Sequence, residues 1–143
     1  MSQENVEIVK MLQPSNVELV AATSKRDVFG GLPDVLFASN LESSFTADDG
    51  TTRLGPFYGI DGLAAAWRDW LEPWESYEIR AEEFLDAGDR VVAFVRVRGR
   101  THRDGVAVEH APAAVWTLLD GKVSAIEFYL DRSEALKAVG LEE

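Results

Sequence analysis

Apolar and polar positions alternate with a period of two through most of the second half of the chain, which predicts successive antiparallel strands. We expect strands over Tyr77–Asp86 and Arg90–Thr101, followed by a hairpin of two strands from Gly105 to Leu130. Asp120-Gly121 is expected to form the hairpin turn, because a tight primed turn needs positive φ and glycine adopts it without steric cost. Both arms are apolar on both faces, which indicates that both faces are covered. The two faces of the first arm carry Val106, Val108, Ala114, Trp116 and Leu118 on one side and Ala107, Ala111, Ala113, Val115 and Leu119 on the other.

Apolar residues recur at helical spacing in two other places. The pattern predicts a helix from Ser2 that Pro14 ends. A longer helix is expected from Gly62 to about Trp74, with Asp61 as its N-cap. This longer helix carries Leu63, Trp67, Trp70 and Trp74 on one side.

The rest of the N-terminal half gives shorter signals. Ser15 and Glu18 are spaced as a capping box and predict a second short helix. Pro33 suits the first turn of a helical piece that includes Phe37. The alternation over Leu41–Phe45 predicts a short strand, and Gly55–Gly59 is interpreted as a loop.

Helices followed by a run of antiparallel strands predict one α+β domain over residues 1–143, with helices packed on one face of the sheet. A last short helix is expected between Asp131, its N-cap, and Gly140, just beyond its end. A strongly curved antiparallel sheet wrapped around N-terminal helices makes a cone-shaped barrel. Such a cone has an apolar pocket in its mouth.

Composition narrows the classes of function. The net charge of −11 disfavours a nucleic-acid partner. Arg96, Arg98 and Arg100 are expected to share one face of a strand. They could form an anion site, but we favour ion pairs with Glu78, Glu82 or Glu109 on neighbouring strands. The chain has no cysteine, no apolar run long enough to span a membrane and no secretion signal at its N-terminus, so we expect a cytoplasmic protein.

Several segments together resemble a known family. They are MSQENVEIVK at the N-terminus, Gly59-Ile-Asp-Gly-Leu63, Trp67-Arg-Asp-Trp-Leu-Glu-Pro-Trp74, Phe84-Leu-Asp-Ala-Gly-Asp-Arg-Val-Val92, Val115-Trp-Thr117, Asp120-Gly-Lys122 and Tyr129-Leu-Asp-Arg132. They are similar to SnoaL-like proteins of actinobacterial type, which belong to the nuclear-transport-factor-two-like superfamily of cone-shaped α+β barrels.

The resemblance implies a pocket between the long helix and the sheet, and a homodimer formed through the other sheet face. It does not imply one activity, because the superfamily includes ketosteroid isomerases, polyketide cyclases, dehydratases, epoxide hydrolases and modules without catalysis. In the isomerases an aspartate on the short first strand acts as the base, and here Ser43 or its neighbour takes that place. Many SnoaL-like proteins have histidine just before Val-Trp-Thr, where this chain has Ala114. Both departures weigh against transferring an enzyme mechanism.

The residues that could carry chemistry are few. His110 could act as a general base, because the usual pKa of imidazole lies near neutrality. Glu42 is a second candidate base, and Tyr58 could donate a hydrogen bond to a carbonyl. His102, beside a turn, is expected to be solvated.

The expected apolar wall of the pocket comprises Phe57, Trp67, Trp70, Trp116 and Phe128. No grouping of ligand-type residues has metal-site spacing, and no phosphate-binding loop is present, so neither a metal nor a cofactor is expected. The leading hypothesis is a domain that binds a small hydrophobic molecule. The alternatives are a cofactor-free acid–base enzyme and a structural dimerisation module with a filled cone.

Overall fold

The computed structural model describes residues 2–12, 16–18, 37–46 and 53–140. In this part of the chain the helices are α1 (Ser2–Leu12), α2 (Gly59–Leu71) and α3 (Arg132–Ala138). The strands are β1 (Asn16–Glu18), β2 (Phe37–Thr46), β3 (Arg53–Tyr58), β4 (Trp74–Ala87), β5 (Arg90–Thr101), β6 (Ala107–His110), β7 (Ala113–Leu119) and β8 (Lys122–Tyr129). The helices α1 and α2, the strand around residues 41–45 and the strand β5 are confirmed as elements. None of these helices is long and apolar enough to cross a membrane.

All eight strands form one sheet in the order β1-β4-β5-β7-β8-β2-β3, and β6 pairs with β5 beside that path. Every pairing is antiparallel except that of β2 with β8, which is parallel. The antiparallel pairs β4–β5, β5–β6 and β7–β8 join consecutive strands that short turns connect. β2 and β8 are far apart in sequence, so no hairpin dictates their relative direction.

Two faces of this sheet are buried by different helices. The inner face, defined by Val91, Ala93, Val97, Ala114 and Trp116, packs into one core with α1 and α2. The outer face, defined by Val92, Ala113 and Val115, packs against Ala135 of α3. The expectation that the first hairpin arm is covered on both faces is therefore confirmed at its centre. Its ends differ, because Val106 and Leu119 are exposed.

The predicted hairpin from Gly105 to Leu130 contains three strands. Its turn is confirmed, since Asp120 and Gly121 have φ of 53° and 78°. The first arm is divided into β6 and β7 at Pro112, which has no backbone N–H to donate to the ladder. His110 pairs with Val97 and Ala113 with Phe94, so the register continues unchanged across the break.

The long helix begins and ends earlier than predicted. It starts at Gly59 with Tyr58 at the N-cap position, and Asp61 lies within its first turn. Its end at Leu71 is explained by Pro73, which has no backbone N–H to continue the helical hydrogen bonds. Trp74 is therefore the first residue of β4 and not the last of the helical stripe.

Three local predictions in the N-terminal half were wrong. Residues 16–18 form β1, which pairs with β4, where a short helix was expected; the remainder of that helix lies outside the described residues. Phe37 begins β2, although a helical piece was predicted there. The segment interpreted as a loop, Gly55–Gly59, supplies most of β3; proline is tolerated because β3 is an edge strand.

The C-terminal helix is as predicted. The Asp131 carboxylate accepts a hydrogen bond from the Ser133 backbone N–H at 2.8 Å, which caps α3. Gly140 follows the helix with φ of 76°. This cap holds α3 on the outer face, behind the strands that position the candidate site.

Candidate functional site

Two polar aromatic side chains meet on the inner face, Tyr77 from β4 and His110 from β6. Tyr77 pairs with Gly99 of β5, and His110 pairs with Val97 one row further on. Tyr77 and His110 are therefore diagonal neighbours two strands apart, and Gly99 between them has no side chain. Their ring centroids lie 6.4 Å apart at an interplanar angle of 71°.

A tryptophan on the long helix fixes the Tyr77 hydroxyl. The Trp70 Nε1–H donates a hydrogen bond to the Tyr77 oxygen at 3.0 Å. Trp70 supplies the hydrogen of this bond, so the Tyr77 oxygen acts in it as the acceptor. The bond also links α2 to β4 across the inner face.

Burial makes the Tyr77 phenol harder to ionise. Tyr77 is only 2% exposed. Desolvation raises the pKa of Tyr77 to about 12, although the hydrogen bond from Trp70 acts in the opposite direction. At neutral pH the group is therefore a protonated hydrogen-bond donor in apolar surroundings. His110, which is half-buried, contributes an imidazole that can accept or donate a proton.

An aromatic cluster continues from this pair along the inner face. Phe45 of β2 is its centre and lies 4.7 Å from Phe128, 5.4 Å from Trp67, 5.8 Å from Trp70 and 6.3 Å from Phe57, between ring centroids. Trp67 also contacts the Tyr77 ring, edge to face, at 6.3 Å. Four of the five predicted wall residues are thus assembled around a phenylalanine.

The fifth predicted wall residue, Trp116, lies further along the same face. It pairs with Val91 on one side and with Ile126 on the other. Its side chain is 6% exposed and belongs to the same core. Trp116 therefore lies one inner-face row beyond the row that carries Phe45 and Phe128.

The structure does not bring Glu42 or Tyr58 to His110. Glu42 and Tyr58 are paired with each other across β2 and β3, directly beside the Ser43–Phe57 pair. Successive side chains point to opposite faces, so a residue next to an inner-face residue points away from it. Both side chains are exposed, Tyr58 by 65%.

Sequence reasoning missed Tyr77, Phe45 and Gly99. Tyr77 was taken only as the start of a strand, and Phe45 only as part of an alternating pattern. The alternation of Leu41, Ser43 and Phe45 would have assigned Phe45 to the inner face. No sequence signal reveals that Gly99 separates Tyr77 from His110, because this depends on the register of three strands.

The arginines at 96 and 98 are paired as the favoured interpretation predicts. Arg96 contacts Glu82 at 3.0 Å, and Arg98 contacts Glu109 at 3.4 Å. An open groove of about 350 Å³ at this end of the sheet is lined by Glu78 and Glu109 and by Arg98 and Arg100. Among the described residues no group of three or more histidines, aspartates or glutamates could hold a metal ion.

Comparison with known proteins assigns the chain to a family. The SnoaL-like domain matches residues 34–126, about two thirds of the chain. No curated protein matches the chain.

Solved structures share the fold over nearly the whole length. An NTF2-like protein from Burkholderia xenovorans LB400 is 26% identical, with a TM-score of 0.63, and the match covers 97% of this chain and 98% of that one. A candidate SnoaL-like polyketide cyclase from Jannaschia sp. CCS1 is 21% identical, with a TM-score of 0.66 and coverage of 99% and 95%. TerC, co-crystallised with polyporic acid, is 19% identical, with a TM-score of 0.62 and coverage of 96% and 98%. The chain therefore belongs to the SnoaL-like domain family, and its fold is the cone-shaped α+β fold of NTF2-like proteins.

Proposed function

We propose that the inner face binds a small apolar molecule that carries a hydrogen-bond acceptor, such as a carbonyl oxygen. The observation that carries this proposal is the meeting of Tyr77 and His110 on a face that is otherwise aromatic and aliphatic. Ligand sites typically combine an apolar wall with a few placed polar groups. Here the proposed wall is Phe57, Trp67, Trp70 and Phe128.

The chemistry of Tyr77 favours an acceptor in the ligand. The phenol is neutral, and its oxygen already accepts from Trp70. A hydrogen bond in low-dielectric surroundings is stronger than one in water, so a ligand oxygen that meets this donor gains affinity. A hydrocarbon of the same shape would gain only from apolar contact. TerC, which shares the fold, was co-crystallised with the small molecule polyporic acid.

Thermal unfolding with ligands tests this proposal. Polyporic acid and a panel of aromatic ketones would be titrated against the wild-type protein, Tyr77→Phe and Tyr58→Phe. A specific ligand raises Tm with its concentration. We expect Tyr77→Phe to weaken binding by about tenfold, the value of one good hydrogen bond, and Tyr58→Phe to leave binding unchanged. Failure of every ligand to raise Tm would favour the structural module with a filled cone.

A second function is favoured by the pairing of a proton donor with a proton acceptor. His110 could remove a proton from the carbon next to a carbonyl, while Tyr77 donates a hydrogen bond to the enolate oxygen. Return of the proton from His110 to another carbon completes an isomerisation without a cofactor, whereas return to the same carbon regenerates the starting ketone.

Hydrogen exchange separates this enzyme from a binding protein. A bound ketone would be followed by NMR in deuterated water, with His110→Gln and, as a control, His102→Gln. An enzyme accelerates exchange at the carbon beside the carbonyl, and only His110→Gln removes the acceleration. Binding of the ketone without faster exchange would argue against the enzyme and support a protein that only binds its ligand.

We also propose that two copies associate through the outer face of the sheet. Support comes from the family resemblance. The outer-face residues Val92, Ala113 and Val115 are already buried against α3 within one chain, so the contacts between copies would lie around them. Sedimentation velocity at tens of micromolar should show a dimer, and a monomer at that concentration would refute the association.

A further inference from the structure

Two buried polar atoms lie on the inner face at a distance from Tyr77 and His110. Ser43 Oγ and Trp116 Nε1 have no hydrogen-bond partner among the described residues. Ser43 is 2% exposed and Trp116 is 6% exposed. Each side chain therefore holds a polar group in apolar surroundings.

Ser43 and Trp116 belong to one row of the sheet. Ser43 pairs with Ile126 of β8, and Ile126 pairs with Trp116 of β7. The two Cα atoms are thus two strands apart, about 10 Å. Trp116 follows His110 by six residues along β6 and β7, about 20 Å of strand. The inner-face positions between them, Pro112 and Ala114, are small.

The choice of residue types at these two positions is unusual for packing alone. Almost all buried polar groups in folded proteins have a partner, and an unpaired group lowers the free energy of unfolding. Alanine and phenylalanine would fill similar space without that cost. The indole N–H is only a donor, whereas the serine hydroxyl can donate or accept. A ligand oxygen is a partner that satisfies both.

We infer that Ser43 and Trp116 form a second polar contact for the ligand, which takes an oxygen at the end opposite to the Tyr77 contact. This inference rests on the proposed binding function. It defines the ligand class as an extended aromatic or conjugated molecule with oxygen atoms at two separated positions. The ligand would lie along β6 and β7 over Pro112 and Ala114, after the side chains above them move aside.

Curcumin, an extended conjugated diketone with a phenol at each end, is a suitable fluorescent probe. Its affinity would be measured for wild type, Ser43→Ala, Trp116→Phe and Tyr77→Phe. Stilbene, a conjugated hydrocarbon without oxygen, reports the loss of apolar contact alone. Ser124→Ala is the matched control, because the Ser124 hydroxyl already donates to the Thr117 carbonyl at 3.3 Å.

We expect Ser43→Ala and Trp116→Phe each to weaken curcumin binding by about five- to tenfold, without lowering the stability of the free protein. Stilbene binding should change by less than curcumin binding in both variants. Ser124→Ala should lower stability and leave curcumin binding unchanged. If Trp116→Phe does not fold, the curcumin affinity of Ser43→Ala alone tests the second polar contact.

The outcomes separate the two proposals. Unchanged curcumin affinity in Ser43→Ala and Trp116→Phe, with weaker binding in Tyr77→Phe, overturns the second contact and leaves the proposed function intact. Absence of curcumin binding to wild type overturns the extended-ligand class. An equal loss of stilbene and curcumin affinity shows a packing effect and also overturns the inference.

Discussion

Gly99→Ala should destabilise the protein through one side chain, Trp74. The indole of Trp74 lies over Gly99, and a methyl group there would be 2.6 Å from Cζ3 and 2.7 Å from Cε3 of that ring. The same methyl group would lie 3.2 Å from the Ser76 carbonyl oxygen, which is backbone and cannot rotate away. Trp74 in turn packs edge to face against Tyr77 at 5.1 Å. The substitution therefore reaches the candidate site.

The size of the effect follows from these distances. Non-bonded carbons settle at about 3.5–4.0 Å, so the indole must move by roughly 1 Å. Overpacking of this kind costs about 1–3 kcal/mol, and loss of the aromatic pair adds about 0.5–1.5 kcal/mol. The reduced freedom of alanine in the unfolded chain offsets about 0.4–1 kcal/mol. We expect a net loss of about 2 kcal/mol in the free energy of unfolding.

A double-mutant cycle in urea isolates the cause. Gly99→Ala would be introduced into wild type and into Trp74→Ala. Because the clash needs the indole ring, most of the cost should vanish in the Trp74→Ala background. An equal cost in both backgrounds, or a gain in stability in wild type, would refute the packing argument.

Three further predictions concern named groups. Burial raises the pKa of Tyr77 to about 12 from a usual value near 10. The stability that neutral Tyr77 contributes is therefore fully present below pH 10. The free energy of unfolding should fall by about 3 kcal/mol between about pH 10 and 12. Urea unfolding across this range should show that loss in wild type but not in Tyr77→Phe, and parallel curves would contradict it. Hydrogen bonds from Arg132 and Arg96 lower the pKa of Glu82. The stability that ionised Glu82 contributes is therefore present above its usual pKa and is lost as pH falls through the lowered value. Glu82→Gln should reduce the dependence of the free energy of unfolding on acid pH, and an unchanged dependence would argue against the pairing. Asp131→Ala should cost about 1 kcal/mol in thermal unfolding, because it removes the N-cap of α3, and an unchanged Tm would show that the cap is not needed.

The fold was largely predictable from local patterns. Period-two alternation predicted β5 with its observed bounds, and Asp120-Gly121 predicted the hairpin turn. Both features depend only on residues that are neighbours in sequence. The long helix was expected to continue to about Trp74, but α2 ends at Leu71 because Pro73 has no backbone N–H to continue the helical hydrogen bonds. β1 is three residues long and is defined by pairing with β4, which no local signal reveals.

The candidate site was predictable only in part. His110 was singled out from its residue type, and the periodicity of α2 identified Trp67 and Trp70. Tyr77 was missed because its role depends on burial and on a contact with Trp70 from another element. Glu42 and Tyr58 were chosen for their chemistry, although the alternation of β2 already places Glu42 opposite to its neighbour Ser43.

NMR of the two histidines is the most direct test of ligand binding on the inner face. The chain has only His102 and His110, so each imidazole can be assigned with a single substitution. His102 is exposed in a turn, whereas His110 contacts Tyr77. On titration with polyporic acid or curcumin, the His110 resonances should shift and saturate while those of His102 stay in place. A ligand that raises Tm and leaves the His110 resonances unmoved would contradict binding at this site.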